Sequence, residues 1–207
     1  MEDERRGVFE RPELPVSVLP PRCAQTLAEL RAMSDAEALA ALGDPRGIHR
    51  ALYHDLAPPD HPEWAGNYRG SNHPSLRDLI VAFSFNDAEG TTEIVGPHKV
   101  PESMEKYAAL LGALDLRATP TFMRKLGLVA GVMSLFGLIH PFIDGNGHVQ
   151  RITAQCLMER AGLRMAPAWS VHPCPYGEEV HRALAACRHD DLVATLAGFV
   201  EPGPAAL

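Results

Sequence analysis

His140-Pro141-Phe142-Ile143-Asp144-Gly145-Asn146-Gly147-His148-Val149-Gln150-Arg151 is the stretch on which the reading of this chain turns. Its twelve residues hold a candidate base, a carboxylate, an amide, two glycines and a cation, a density that packing alone does not require. Gly145 and Gly147 let the backbone turn tightly and leave room for a ligand near main-chain N–H groups. Val149, Ile152, Thr153, Cys156 and Leu157 recur at helical spacing, which predicts a helix starting near Gly147. A helix start offers unpaired N–H donors and the positive end of a dipole, together an anion site suited to phosphate. Arg151 follows one turn later, roughly 6 Å along the axis, where it can meet the far end of a polyphosphate. Asp144 can give a carboxylate oxygen to Mg²⁺, and a neutral His140 can take a proton from an incoming hydroxyl.

These residues resemble the signature of the Fic family, within the Fic/Doc superfamily: His-Pro-Phe-x-Asp/Glu-Gly-Asn-Gly-Arg-x-x-Arg. The match holds at His140, Pro141, Phe142, Asp144, Gly145, Asn146, Gly147 and Arg151, and departs at His148, where the family has its first arginine. Upstream, His49-Arg50 and Trp64-Ala65-Gly66-Asn67-Tyr68-Arg69 resemble the Fic core in the expected order. The resemblance implies transfer of a nucleoside monophosphate, AMP from ATP, onto a protein hydroxyl. It makes His140 the general base, Asp144 the Mg²⁺ ligand, and Asn146 with the amides of Gly145 and Gly147 the α-phosphate site. His148 and Arg151 would face the remaining phosphates, with Pro141 and Phe142 anchoring the loop. Gly147 favours nucleotidyl transfer over the kinase chemistry of the Doc branch, which tends to carry lysine there. A histidine at 148 is shorter than arginine and largely neutral at pH 7, which leaves open a different nucleotide, another phosphate-linked group, or a non-catalytic nucleotide-binding module.

The resemblance also implies a target protein held by strand addition on a β-flap. Thr91 to Val100, with β-branched residues and a Gly-Pro turn, predicts that hairpin, and Glu93, Ile94, Val95, Gly96, His98 and Lys99 are its candidate contacts. Family members often carry an inhibitory Ser/Thr-x-x-x-Glu-Gly/Asn helix. The Glu-Gly pair here, Glu89-Gly90, has Phe85 four residues before it, so the pattern is not met, which leaves a separate antitoxin-like partner or no inhibition of this type.

A chain of 207 residues, 46% hydrophobic and 22% charged, is long enough for one globular domain. A net charge of −7 without a basic run argues against nucleic acid. Cys23, Cys156, Cys174 and Cys187 have neither zinc nor disulfide spacing, and no apolar signal core follows Met1 to Arg6, so a cytoplasmic protein is expected. The apolar run Leu126 to Ile139 is too short to span a bilayer, so no membrane role is expected.

The predicted architecture is all-α: about eight helices with one small hairpin, a tail over 1–22, a single domain over 23–200 with its core at 46–163, and a tail over 201–207. Helices are expected at Cys23 to Met33, at Ser34 to Leu42 behind a Ser34/Glu37 capping box, and at Arg46 to Leu56. Leu76 to Phe85 is expected to be buried. Further helices are predicted at Pro101 to Leu114, at Thr121 to Ile139 with Thr119-Pro120 as its start, and at Gly147 to Ala161 with Gly162 as its stop. Two amphipathic helices, Gly177 to Cys187 and Asp190 to Phe199, end the domain. His54, His61, His73, His172, His181 and His189 are expected at the surface. His140, Asp144 and His148, four apart, would form a metal triad only on a continuous helix, which Pro141, Gly145 and Gly147 oppose.

Overall fold

A computed structural model describes residues 18–81, 94–185 and 188–202. Eight α-helices occur among them: α1 (Leu19–Ala32), α2 (Asp35–Gly43), α3 (Arg46–Tyr53), α4 (Val100–Gly112), α5 (Phe122–Ile139), α6 (Asn146–Arg160), α7 (Glu178–Ala185) and α8 (His189–Ala197). α5 is the axis of the bundle, packed by α4, α6, α7 and α8, while α1 lies against α3 and α6, and α2 against α4. By length and composition α5 alone among the described helices could cross a membrane, at 18 residues and a mean hydropathy of 1.6, which corrects the expected shortness of its apolar run. Its apolar surface is instead met by neighbouring helices, with Leu126, Val129, Met133, Phe136 and Ile139 at most 1% exposed. Two of its glycines take the His189 ring, whose nearest atoms lie 3.6 Å from a Cβ placed at Gly127 and 4.0 Å from one at Gly131. Gly137 meets the Gln150 amide, which donates to the Met133 carbonyl at 2.8 Å, so close packing offsets the weak helix propensity of glycine.

Local signals set most boundaries. The Ser34 hydroxyl accepts from the Glu37 N–H while the Glu37 carboxylate accepts from the Ser34 N–H, the capping box expected for α2. Pro20 and Pro21 sit in the first turn of α1, where a missing N–H costs nothing, so this helix begins at Leu19 and the expected tail to residue 22 is too long. α5 is capped by Thr121, whose hydroxyl accepts from Arg124 N–H at 3.3 Å, and the expected Thr119-Pro120 start lies outside the helix.

Three further expectations change. The strand pair among the described residues joins β1 (Leu163–Met165) to β2 (Val200–Pro202), antiparallel with Arg164 opposite Glu201, so the chain remains ordered past the predicted end of the domain at 200. The predicted hairpin is not found where its second half is described: Ile94 to Gly96 form no strand, and Pro97–Lys99 make a 3₁₀ turn feeding α4. Residues 91–93, including Glu93, lie outside the described residues. Leu76 is fully buried, but Ile80 is 78% exposed, because turns through 74–78 present no single apolar face; residues 82–85 lie outside the described residues.

Candidate functional site

α5 ends where the site begins. His140 is its C-cap, with its N–H on the Phe136 carbonyl at 2.9 Å and a left-handed backbone (φ 47°, ψ 61°), the one non-glycine residue with positive φ among the described residues. Such a conformation in a bulky side chain is costly and persists when the surroundings impose it. Arg69 imposes it. Arg69 is 1% exposed; its guanidinium donates to the carbonyls of His140 (2.6 Å), Ile139 (2.6 Å) and Val95 (2.5 Å), and its backbone N–H donates to the Pro141 carbonyl at 2.9 Å. The His140 imidazole is half-buried, and desolvation with the nearby Arg69 charge pushes its pKa down to about 3, against a hydrogen bond with the Gly137 backbone. It is therefore neutral at physiological pH, the state in which an imidazole can accept a proton.

The next residues close a tight loop. Phe142, fully buried, donates its N–H to Asn146 Oδ1 at 3.0 Å and accepts from Asn146 Nδ2 at 2.9 Å, and its ring stacks on His49 at 3.9 Å. The Asn146 carboxamide is thus engaged at both ends within the loop. His49, fully buried, accepts the Gly66 N–H on Nδ1 at 2.9 Å, which fixes its Nε2–H as the donor to the Asp144 carbonyl at 3.0 Å. Burial pulls its pKa down to about 4.

Gly145 carries the turn with φ 73°, under the Tyr53 ring, and no side chain caps α6. The uncapped end can take an anion. A Cβ at Gly147 would lie 2.9 Å from Arg151 Nη1, so the glycine keeps this approach open. Arg151 is 5% exposed, donating Nε–H to the Val171 carbonyl at 2.8 Å and Nη1–H to Cys174 Sγ at 3.5 Å, with the Tyr176 ring 5.9 Å away. His148, half-buried, pairs Nδ1 with the Tyr53 hydroxyl at 2.7 Å and Nε2 with His172 Nδ1 at 2.8 Å. Burial first, then the Arg151 charge, lowers its pKa to about 3.

Asp144 is half-buried, and among the described residues no three His, Cys, Asp or Glu side chains cluster as a metal cage. A lone carboxylate beside an anion site suits Mg²⁺, which binds through one or two carboxylates plus substrate phosphates and otherwise keeps its waters.

The structure brings His140, Pro141, Phe142, Asp144, Gly145, Asn146, Gly147, His148 and Arg151 into one loop and the first two turns of α6. Of the expected flap contacts, His98 and Lys99 are exposed, while Val95 and Gly96 have backbone groups already engaged. The Val95 N–H is on the Leu138 carbonyl at 2.9 Å and its carbonyl is on Arg69, while Gly96 accepts from Lys99 N–H, so neither offers a full strand edge. His172, expected on the surface, is half-buried at the site. Sequence reasoning missed the roles of Arg69, His49 and Tyr53. Besides the family resemblance at His49-Arg50, a polar residue beside Ile48 and Leu52 on the buried face of α3 was a signal for His49, and nothing local marked Arg69 as buried.

The family model described as "Fic/DOC family" matches residues 41–158. No curated protein matches. Among solved structures, the N-terminal Fic domain of a VirB-translocated effector from Bartonella quintana is similar at 19% identity and a TM-score of 0.56, covering 90% of this chain and 84% of its own. BepC of Bartonella tribocorum with bound AMPPNP gives 16% identity and a TM-score of 0.57, with 89% and 87% covered. A B. quintana N-terminal Fic domain structure with bound ADP gives 18% and 0.57, with 91% and 87% covered. With the signature loop set between α5 and α6 and the family match spanning more than half its length, this chain belongs to the Fic/DOC family.

Proposed function

We propose that this chain transfers AMP from ATP to a hydroxyl side chain of a target protein. The observation that carries the reading is His140, held in a left-handed backbone by Arg69 at the end of α5, with Asp144 in the loop that leads to an uncapped helix start and Arg151 in the second turn of that helix. The imidazole lone pair accepts the proton of the target hydroxyl. The oxygen then bonds the α-phosphorus, the bond to the β-phosphate bridging oxygen breaks, and pyrophosphate leaves. The first amides of α6 face the developing charge on the α-phosphate, and Arg151 serves the outer phosphates. Mg²⁺, when bound, would offset phosphate charge, with Asp144 as the residue to hold it. The Fic structures with AMPPNP and ADP support a nucleotide in this family's site.

Purified protein incubated with ATP, Mg²⁺ and a cell lysate should add the mass of AMP to a protein, read by mass spectrometry. His140→Ala should abolish the addition, leaving ATP binding within about threefold, since the base acts on the hydroxyl and not on the nucleotide. Transfer that survives His140→Ala, or no transfer with any nucleotide, would end this reading. A second reading, nucleotide binding without transfer, is favoured by one observation: both nitrogens of His148 are already engaged, which leaves the phosphate end with less charge than an arginine would give. ATP binding by calorimetry with no added mass under any condition would select it.

A further inference from the structure

His148 stands where the family signature has an arginine, and its surroundings are built for an imidazole. Tyr53 meets Nδ1 at 2.7 Å and His172 Nδ1 meets Nε2 at 2.8 Å, with the His172 ring stacked at 5.0 Å and 24°. A guanidinium has donors only and could not accept from a phenol. Neither partner is placed by chance. Tyr53 is 3% exposed and held by α3, and its ring edge lies over Gly145, where a Cβ would come within 2.3 Å. His172 follows Val171, whose carbonyl holds the Arg151 Nε–H, so one short segment fixes both residues that face the outer phosphates.

Between the two nitrogen atoms facing each other at 2.8 Å one hydrogen must lie, and a phenol donates to imidazole more readily than it accepts from it. Both contacts are met, with the phenol in its better role as donor, when Tyr53 O–H donates to His148 Nδ1 and His148 Nε2–H donates to His172 Nδ1. We propose that Tyr53 and His172 are positioning residues that hold His148 in this single neutral tautomer, so that the phosphate end of the site carries an oriented imidazole and one cation, Arg151, instead of two cations. The proposal rests on reading the loop as a nucleotide site. Its consequence is that nucleotide affinity depends on Tyr53 and His172 through the ring they orient.

Two readouts on the full chain test it. Nitrogen-15 spectra of the ligand-free protein should show His148 protonated on Nε2 alone at pH 7, with the tautomers mixed in Tyr53→Phe. Calorimetry with AMPPNP should give a Kd raised about tenfold in His172→Leu, because a ring released on one side no longer keeps a fixed place beside Arg151 at the phosphate end. His172→Asn, whose amide oxygen can stand where Nδ1 stands, should return it to within about twofold. His148 protonated on Nδ1 in the native protein would overturn the proposal, as would equal Kd values for the native, Tyr53→Phe and His172→Leu proteins. The spectra need no turnover, so a protein that transfers nothing would end the proposed function while the tautomer still decides the clamp.

Discussion

At the scale of single residues, two glycines make opposite predictions. Gly145 has φ 73°, and a Cβ there would stand 2.3 Å from the Tyr53 ring. Gly145→Ala should therefore cost about 2 kcal/mol or more, from left-handed strain together with overpacking. It should also disturb the contact from Tyr53 to His148. Gly47, exposed in the first turn of α3, has nothing within 4 Å of an added Cβ and no positive φ. Gly47→Ala should gain about 0.5 kcal/mol by restricting the unfolded chain. Urea unfolding of both variants checks the pair, and equal effects would mean that the loop can relax around a side chain at 145.

At the scale of the element, the C-terminus of α5 explains how a loop can hold a strained histidine. The last carbonyls of a helix lack partners and carry the negative end of its dipole. Arg69 answers both needs, with one planar fork on the carbonyls of Ile139, His140 and Val95. Desolvation lowers its pKa to about 10, so it stays charged at neutral pH, stabilised by aligned carbonyls. Arg69→Met should leave these acceptors unsatisfied and cost about 3 kcal/mol or more in stability. If the folded fraction keeps AMPPNP affinity near native while AMP transfer falls about a hundredfold, Arg69 acts by positioning His140. Unchanged transfer would show that His140 holds its backbone without help.

At the scale of the whole molecule, the buried imidazoles make stability depend on pH. His49 stays neutral down to about pH 4 and His140 and His148 down to about 3, whereas in the unfolded chain each takes a proton near 6.5. The unfolded state binds more protons in that interval, so the contribution of these groups is complete above pH 6.5 and is lost as pH falls toward 4 and then 3. Each can remove at most about 1.4 kcal/mol per pH unit over its window. Urea midpoints should decline steadily as acid is added below neutrality, and a midpoint that holds flat to about pH 4.5 would contradict the burial of these rings.

Local chemistry was enough to read several features from the chain alone. The loop from His140 to Arg151, the helix after it, the capping box at Ser34 and the apolar axis of α5 each depend on neighbours a few residues away, through turn geometry, capping and helical period. Only the tertiary structure decided that Asn146 closes the loop, that Val95 is held by α5 and Arg69, that the small sheet pairs Leu163–Met165 with Val200–Pro202, and that His148 lies between Tyr53 and His172. Those contacts join residues up to 95 positions apart, and the short range of a hydrogen bond makes them depend on where packing brings the backbone. No period or propensity in the chain records that placement.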